Sequence, residues 1–400
     1  MRISTSMLND AALNAILQDQ SALATTQNQL STGKSINSPA DNPVGEVQLL
    51  QLNNVNAQYQ QYVSNGQGAR ANLTLEQNAL SSATSTLQSI RDLVVQANTG
   101  TNNSADLSAI ATQIQQLEQQ LLGTANSQNA QGGYLFAGYS VNAQPFIRGS
   151  SGAVNYVGDS GVNSVPLDSG TSIQAGDTGS SVFMNVPTGN GTFTTAASSA
   201  NTGTAVIDPG SVTDASQWVP DQYTITFTDP TDWQVTNSLG AVVANGTYDA
   251  SQGGNIAFKG VEVGISGTPA AGDTFTVAVS GQQSVFDTLD NLVANLKSGG
   301  TSPAARAQLS SALGGSLQQI DQALNQVSTV TTTVGSRLSL ISSVSSTLSS
   351  NTTAVTTQIS NLDSLNYAAA TSLYSQEYLA LQAAEQSYAQ LGQLSLFKYL

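Results

Sequence analysis

Apolar positions along this chain recur at heptad spacing toward both ends and alternate only in the middle. From Leu52, every seventh residue reads Leu52, Tyr59, Gly66, Leu73, Leu80, Leu87 and Val94. A second row, three residues on, reads Val55, Tyr62, Ala69, Glu76, Ala83, Ile90 and Ala97. The later row is stricter: Leu313, Ile320, Val327, Val334, Ile341, Leu348, Val355 and Leu362. With 39% apolar residues, such a run arises by chance about once in two thousand trials per phase. Leu317, Leu324, Leu338 and Ile359 supply its partner position. Sustained heptads predict helices wound along a shared seam. Leu52, Leu73, Leu80, Leu87, Leu313, Ile320, Val327, Val334, Ile341 and Leu348 are the expected seam residues. A shorter stripe, Leu107, Ile110, Ile114, Leu117 and Leu121, predicts a third helix.

End signals bound these helices. Asn42-Pro43 and Ser302-Pro303 each place a cap residue before a proline at the first helical position. Gly100 is the expected close of the first long helix and Ser104 the expected cap of the next. At the helical rise the two long segments would run about 80 and about 75 Å, so they are expected to lie antiparallel as one rod. Asn65-Gly66-Gln67-Gly68 is the expected soft point.

The extreme ends form a separate pair. Ile16, Leu23 and Leu30 make a narrow stripe before Gly33. The last forty residues carry Tyr367, Tyr374, Leu381 and Tyr388 on one face, with Leu373, Leu379, Leu394 and Phe397 on others. A helix apolar on several sides needs more than one neighbour. Ile16, Leu23, Leu30, Leu373, Leu379, Leu381, Tyr388, Leu394 and Phe397 are therefore the expected self-assembly residues, in ends that order only in an assembly.

In the middle, Tyr223–Phe227 and Asp273–Val279 alternate like half-buried strands, and Asn190-Gly191 and Asn245-Gly246 read as hairpin turns. The fold class expected is mainly α with a β insertion. It comprises a terminal helical pair (1–42 with 363–400), a long antiparallel coiled-coil rod (43–149 with 282–362) and a mostly antiparallel β outer domain (150–281).

Charge supports this division. Residues 150–281 hold eleven acids and one base, Lys259, and much of the chain's net charge of −15. With no basic excess, nucleic-acid binding is excluded as a main function. Only 9% of residues are charged, and the helical faces are Gln, Ser, Thr and Asn, which suits packing against further copies. There is no cysteine and no histidine, which removes disulfides, thiolate chemistry and histidine bases. No secretory signal and no membrane-length apolar run is visible.

A search for catalytic chemistry returns nothing supported. Ser31-Thr-Gly-Lys34 and Ser395-Leu-Phe-Lys398 match a bare Ser-x-x-Lys spacing without companion motifs. Asp229 with Asp232, and Asp168 with Asp177, read as acidic loops rather than calcium ligands, because no EF-hand spacing surrounds them. No enzyme, cofactor or metal is expected.

Met1-Arg-Ile-Ser-Thr-Ser-Met7, Gln27-Asn-Gln-Leu-Ser-Thr-Gly-Lys34 and Ile36-Asn-Ser-Pro-Ala-Asp-Asn-Pro-Val-Gly45 resemble the start of the flagellin superfamily. Gly132-Gly-Tyr-Leu-Phe-Ala-Gly138 with Gln144-Pro-Phe146, the strand motif Gly264–Val277 and the terminal Leu391–Leu400 resemble its hook–filament junction branch rather than its filament subunits. The likeness covers about 1–146 and 260–400 and is weak between them. It implies that both termini line the inner tube of a homo-oligomeric ring or helical layer, with the rod outside them and the β insertion outermost. It implies the first hook-associated protein as partner on the hook side, flagellin on the filament side, and a cytosolic export chaperone on the C-terminal helix. Export by the flagellar type III route to an extracellular position in the flagellum follows from the same resemblance. Flagellin itself is the alternative, and then a secreted adhesin anchored by Trp218 and Trp233, whose expected role is core packing.

Overall fold

The computed structural model describes residues 5–150 and 152–393, with the backbone alone at 5, 6 and 391–393. It divides into two compact units, Met1–Ser64 with Val344–Leu400, and Asn65–Ser343. Six α-helices are present among the described residues: α1 (Thr5–Thr32), α2 (Pro43–Ala97), α3 (Ser104–Ala125), α4 (Val285–Ser298), α5 (Pro303–Asp363) and α6 (Tyr367–Gln393).

The first unit holds α1, the start of α2, the end of α5 and α6. Gly33 ends α1 at φ +72°, its N–H donating to Gln29 O at 2.9 Å, the left-handed closure that glycine makes without strain. Asn42 caps α2 by accepting from Gly45 N at 2.9 Å. The connector between α1 and α2 is bound to the α5–α6 junction. Ser35 N donates to Asp363 O at 2.6 Å, Leu365 N to Gly33 O at 3.1 Å, and Ser35 Oγ to Leu362 O at 3.0 Å. Lys34 Nζ lies 3.0 Å from Asp363 Oδ2. The end of α1 thus meets the start of α6, and the two helices pack antiparallel.

In the second unit α2 and α5 also run antiparallel. A Cβ at Gly66 would stand 3.7 Å from Ile341 Cγ2. Further along, Arg91 Nε donates to Asp321 Oδ1 at 2.7 Å, and Ser310 Oγ to Asn98 Oδ1 at 2.9 Å. Rising numbers on one helix meet falling numbers on the other. Leu73, Leu80, Leu87 and Val94 of α2 and Leu313, Ile320, Val327, Val334 and Ile341 of α5 are all buried. The expected soft point is continuous helix: Gly66 is buried among Leu167 and Ile341, so tertiary packing overrides its low propensity.

Two end signals are corrected. Asn103, not Ser104, caps α3: its Oδ1 accepts from Ala105 N and Asp106 N while Asp106 returns a bond to its backbone. Ser104 is the first helical residue. The last carbonyls of α2, at Gln96 and Ala97, are taken by the Asn102 carboxamide rather than released by Gly100. Helix α4 has no counterpart in the heptad reading. Ser284 caps it, Val285, Phe286, Leu289, Leu292, Val293 and Leu296 are buried, and the helix packs against α3.

Among the described residues, fifteen short strands make up the β region. β1 (Phe146–Arg148) pairs with β2 (Val154–Tyr156), and β3 (Ser164–Pro166) with β4 (Ser172–Gln174). A wide helical turn (Ser180–Met184) leads into β5 (Val186–Pro187). Then follow β6 (Phe193–Ala197), β7 (Val206–Ile207), β8 (Ser211–Val212), β9 (Tyr223–Asp229), β10 (Asp232–Thr236), β11 (Val242–Thr247), β12 (Gly254–Phe258), β13 (Val261–Ser266), β14 (Thr274–Val279) and β15 (Gln282–Gln283). One antiparallel sheet has the order β11-β10-β9-β14-β6 and a second β12-β13-β7, with β8 also on β13; β15 returns to pair with β5. The inward residues of both sheets, including Phe193, Ile225, Phe227, Val263, Phe275 and Val277, share one core. Trp218 and Trp233 pack against it, half-buried.

Neither expected hairpin forms as read. Asn190 holds a turn by accepting from Thr192 N and Phe193 N, but it joins β5 to β6, which belong to different sheets. Asn245-Gly246 lies inside β11, where Gly246 lets Trp233 lie flat: a Cβ there would sit 2.6 Å from Trp233 Cζ2. The real β10–β11 turn closes at Asn237–Gly240, with Gly240 at φ +77°.

Asp273 fastens the loops at the base of β14. Its buried carboxylate accepts from Thr202 N at 2.8 Å, Gly203 N at 3.1 Å and Ala270 N at 2.9 Å. Asp273→Ala would leave these donors unpaired and should cost about 3 kcal/mol. Urea unfolding followed by tryptophan fluorescence reads it; an unchanged midpoint would remove Asp273 from the loop closure.

Candidate assembly surface

In the first unit the less exposed positions of α1 recur at Ala12, Ile16, Asp19, Leu23, Thr26 and Leu30, and those of α6 at Ala370, Tyr374, Glu377, Leu381 and Ala384. Both follow alternating four-and-three spacing, the geometry of two helices sharing a seam. Ile16, Leu23, Leu30 and Leu381 are therefore used within the chain, in the α1–α6 contact. Leu373, Leu379 and Tyr388 point outward, Leu379 with 63% of its surface exposed. Leu394 and Phe397 lie outside the described residues.

Further apolar side chains join that outward set. Met7, Leu8, Leu13 and Leu17 of α1, Val44, Val47 and Leu50 of α2, and Tyr367 and Tyr378 of α6 are exposed. Tyr374 and Tyr378 stack with ring centroids 6.5 Å apart. Apolar side chains exposed in this number make the first unit the candidate for an interaction surface. Leu13 and Leu17 carried a readable signal, since they stand four apart and off the Ile16–Leu23–Leu30 stripe. Val44, Val47 and Leu50 stand three apart and off the rows that begin at Leu52 and Val55. Of the rod positions in this unit, Leu348 and Val355 are buried, Leu52 and Leu362 half-buried.

In the second unit the segment 132–146 packs through aromatic rings. Phe136 and Phe146 each stand edge-on to Phe183, at 5.4 and 5.7 Å between centroids, and Phe146 also meets Phe286 at 5.5 Å. Gly138 turns at φ +72° directly over Asp159. The Asp159 carboxylate accepts from Tyr139 N, Gly161 N and Ser140 Oγ, each at 2.8 Å, and the Tyr139 N–H leads in holding its pKa below the usual range. Glu118, buried on α3, pairs with Arg148 of β1, which also reaches Asp290 of α4 at 3.3 Å. Burial raises the Glu118 pKa against the lowering effect of Arg148.

Asp168 Oδ1 accepts from Gly170 N and Thr171 N. Asp229 Oδ1 accepts from Thr231 N and Asp232 N in a tight turn, and Asp177 pairs with Arg337. Among the described residues no three carboxylates gather to hold an ion, and no helix is long and apolar enough to cross a membrane.

Comparison with known proteins matches this architecture. Residues 3–141 fit the bacterial flagellin N-terminal helical region, and residues 196–279 the D2-like domain of flagellar hook-associated protein 1. Flagellar hook-associated protein 3 of Salmonella typhimurium is 34% identical over 152 residues, 38% of this chain and 48% of that protein. The matched stretch thus spans about half the length of that relative. The crystal structure of Xanthomonas campestris FlgL superposes with a TM-score of 0.71 at 33% identity, covering 77% of this chain and 98% of that one. Hook-associated protein 3 of Legionella pneumophila gives a TM-score of 0.74 at 30% identity, covering 78% and 98%. Paired helical termini around an antiparallel β insertion, with the flagellin N-terminal region, define a flagellin-superfamily protein. Within that class the chain belongs to the FlgL family, that of hook-associated protein 3.

Proposed function

We propose that this protein is a structural, non-catalytic component of the bacterial flagellum, which joins hook to filament and gives flagellin its first binding layer. The observation that carries the reading is the 33% identity to Xanthomonas campestris FlgL over 98% of that chain. The flagellin of Escherichia coli, by contrast, is 36% identical over only 22% of its own length, so the filament-subunit alternative is the weaker one. In this reading the exposed apolar face of α1, α2 and α6 packs against further copies in a ring or helical layer. Hook-associated protein 1 lies on the hook side and flagellin on the filament side. A cytosolic chaperone covers α6 before export by the flagellar type III route. The α2–α5 seam serves as the stiff layer, and the acidic β insertion faces outward, where its charge avoids repulsion between packed copies.

A deletion strain tests this. It should still synthesise flagellin but shed it into the medium, and the full chain supplied in trans should restore attached filaments. A strain that lacks filament protein altogether would favour the filament-subunit reading.

A further inference from the structure

A buried ionisable cluster joins three parts of the second unit. Glu76 lies in the α2 seam with 1% of its surface exposed. Its Oε1 accepts from Asp177 N at 3.2 Å. Asp177 belongs to the segment that follows β4. Its carboxylate takes both arms of Arg337 from α5, at 2.7 and 3.1 Å, and the same guanidinium donates to Gln174 Oε1 at 2.8 Å. A cavity of about 330 Å³ opens beside this cluster, lined by Glu76, Asp177, Asn72, Asn129 and Tyr134 among others.

The charges do not balance when both carboxyls are ionised. Arg337 is spent on Asp177 by bidentate pairing, the arrangement in which a guanidinium binds most strongly. Of the other titratable groups facing Glu76, Asp177 is also acidic and Tyr134 is a phenol; no further charged side chain lines the cavity among the described residues. A second carboxylate here would be buried beside a like charge without a counter-ion of its own, which is strongly unfavourable. Protonated, Glu76 keeps its bond from Asp177 N and gains a proton to donate to the Asp177 carboxylate.

We propose that Glu76, Asp177 and Arg337 form a proton-operated latch: the neutral Glu76 holds segment 174–177 against α2 and α5, and loss of its proton releases the segment and opens the cavity. The Glu76 pKa agrees in direction. Burial, then the Asp177 charge, push it up to about 9. In the opened state the group is solvated and returns to the ordinary glutamate range. Between those two values the closed form binds one more proton than the open form. The latch therefore holds fully below about pH 4.5 and weakens as pH rises, until Glu76 is ionised in both states.

Hydrogen exchange on the full-length protein tests it. After correction for intrinsic rates, protection of the Ala175 and Asp177 amides should fall by about tenfold per pH unit between pH 6 and 8. Glu76→Gln should show no such slope, because the amide keeps the bond from Asp177 N and cannot ionise. Equal slopes in the two proteins, or a flat wild-type profile, would overturn the latch. If the variant fails to fold, carboxyl carbon NMR of the wild type decides. Glu76 should remain protonated at pH 7, identified by the downward shift of its titration in Asp177→Asn, which removes the neighbouring charge. Titration of Glu76 in the ordinary glutamate range would equally overturn it.

Discussion

Replacing Val334 with aspartate should unfold the helical part of the 65–343 unit. Val334 is fully buried on α5, one heptad from both Val327 and Ile341, which are buried too. A carboxylate there would be buried, and Arg337, one turn further along α5, is already paired with Asp177. Burying it costs several kcal/mol, about 4 or more, a large fraction of what a domain of this size has. The damage has a definite pH dependence. The introduced group has its folded pKa raised by burial, so its cost is small while it is protonated and grows as pH rises above about 4. Ser345→Asp, at a half-buried position of the same helix, should cost far less, because its carboxylate can turn toward water. Urea titration followed by helical circular dichroism compares the two. Equal stability of Val334→Asp and wild type would discard the seam.

The second large effect falls on assembly rather than folding. Leu373 and Leu379 are exposed on α6, whereas Ala370 of the same helix is buried. Changing both leucines to aspartate should leave the helix content of the purified protein unchanged, since neither side chain supports the α1–α6 seam. In an assembly each buried leucine contributes about 1.5–3 kcal/mol. Losing both should weaken subunit association on the order of 10²- to 10⁴-fold. Cells carrying this variant should be non-motile and shed filaments. Ile16→Asp should act differently, lowering helix content in the isolated protein because Ile16 lies in the seam. Filaments that stay attached with Leu373 and Leu379 both changed would show that this face meets no partner.

Ile16 and Leu379, both expected from the sequence to serve assembly, fall on different faces of the helical pair. Ile16, Leu23, Leu30 and Leu381 read from the sequence as assembly residues because they were apolar and periodic, yet period alone does not name the neighbour. In the folded chain α6 is the neighbour of that stripe, and the outward face is made by residues off it, such as Leu13, Leu17 and Leu379. The same ambiguity hid α4. Its fourteen residues are too few to establish a repeat, and its partner α3 lies far away in sequence.

Local periodicity and local chemistry carry the features that are legible in the amino-acid order. The long helices follow from heptads sustained over many turns, where each added repeat makes chance less tenable. Their starts at Asn42-Pro43 and Ser302-Pro303 follow because a cap and a proline act on backbone groups only three or four residues away. Strands β9 and β14 follow from strict alternation. Tertiary structure decided whatever depends on groups distant in the chain. Gly66 is helical because Leu167 and Ile341 enclose it. Gly246 sits in a strand, not a turn, because Trp233 needs the space above it. Glu76 occupies a seam position that its charge would forbid in isolation. It is accommodated because Asp177, about one hundred residues further along the chain, donates its N–H to it, while Arg337, more than two hundred residues further along, pairs with Asp177.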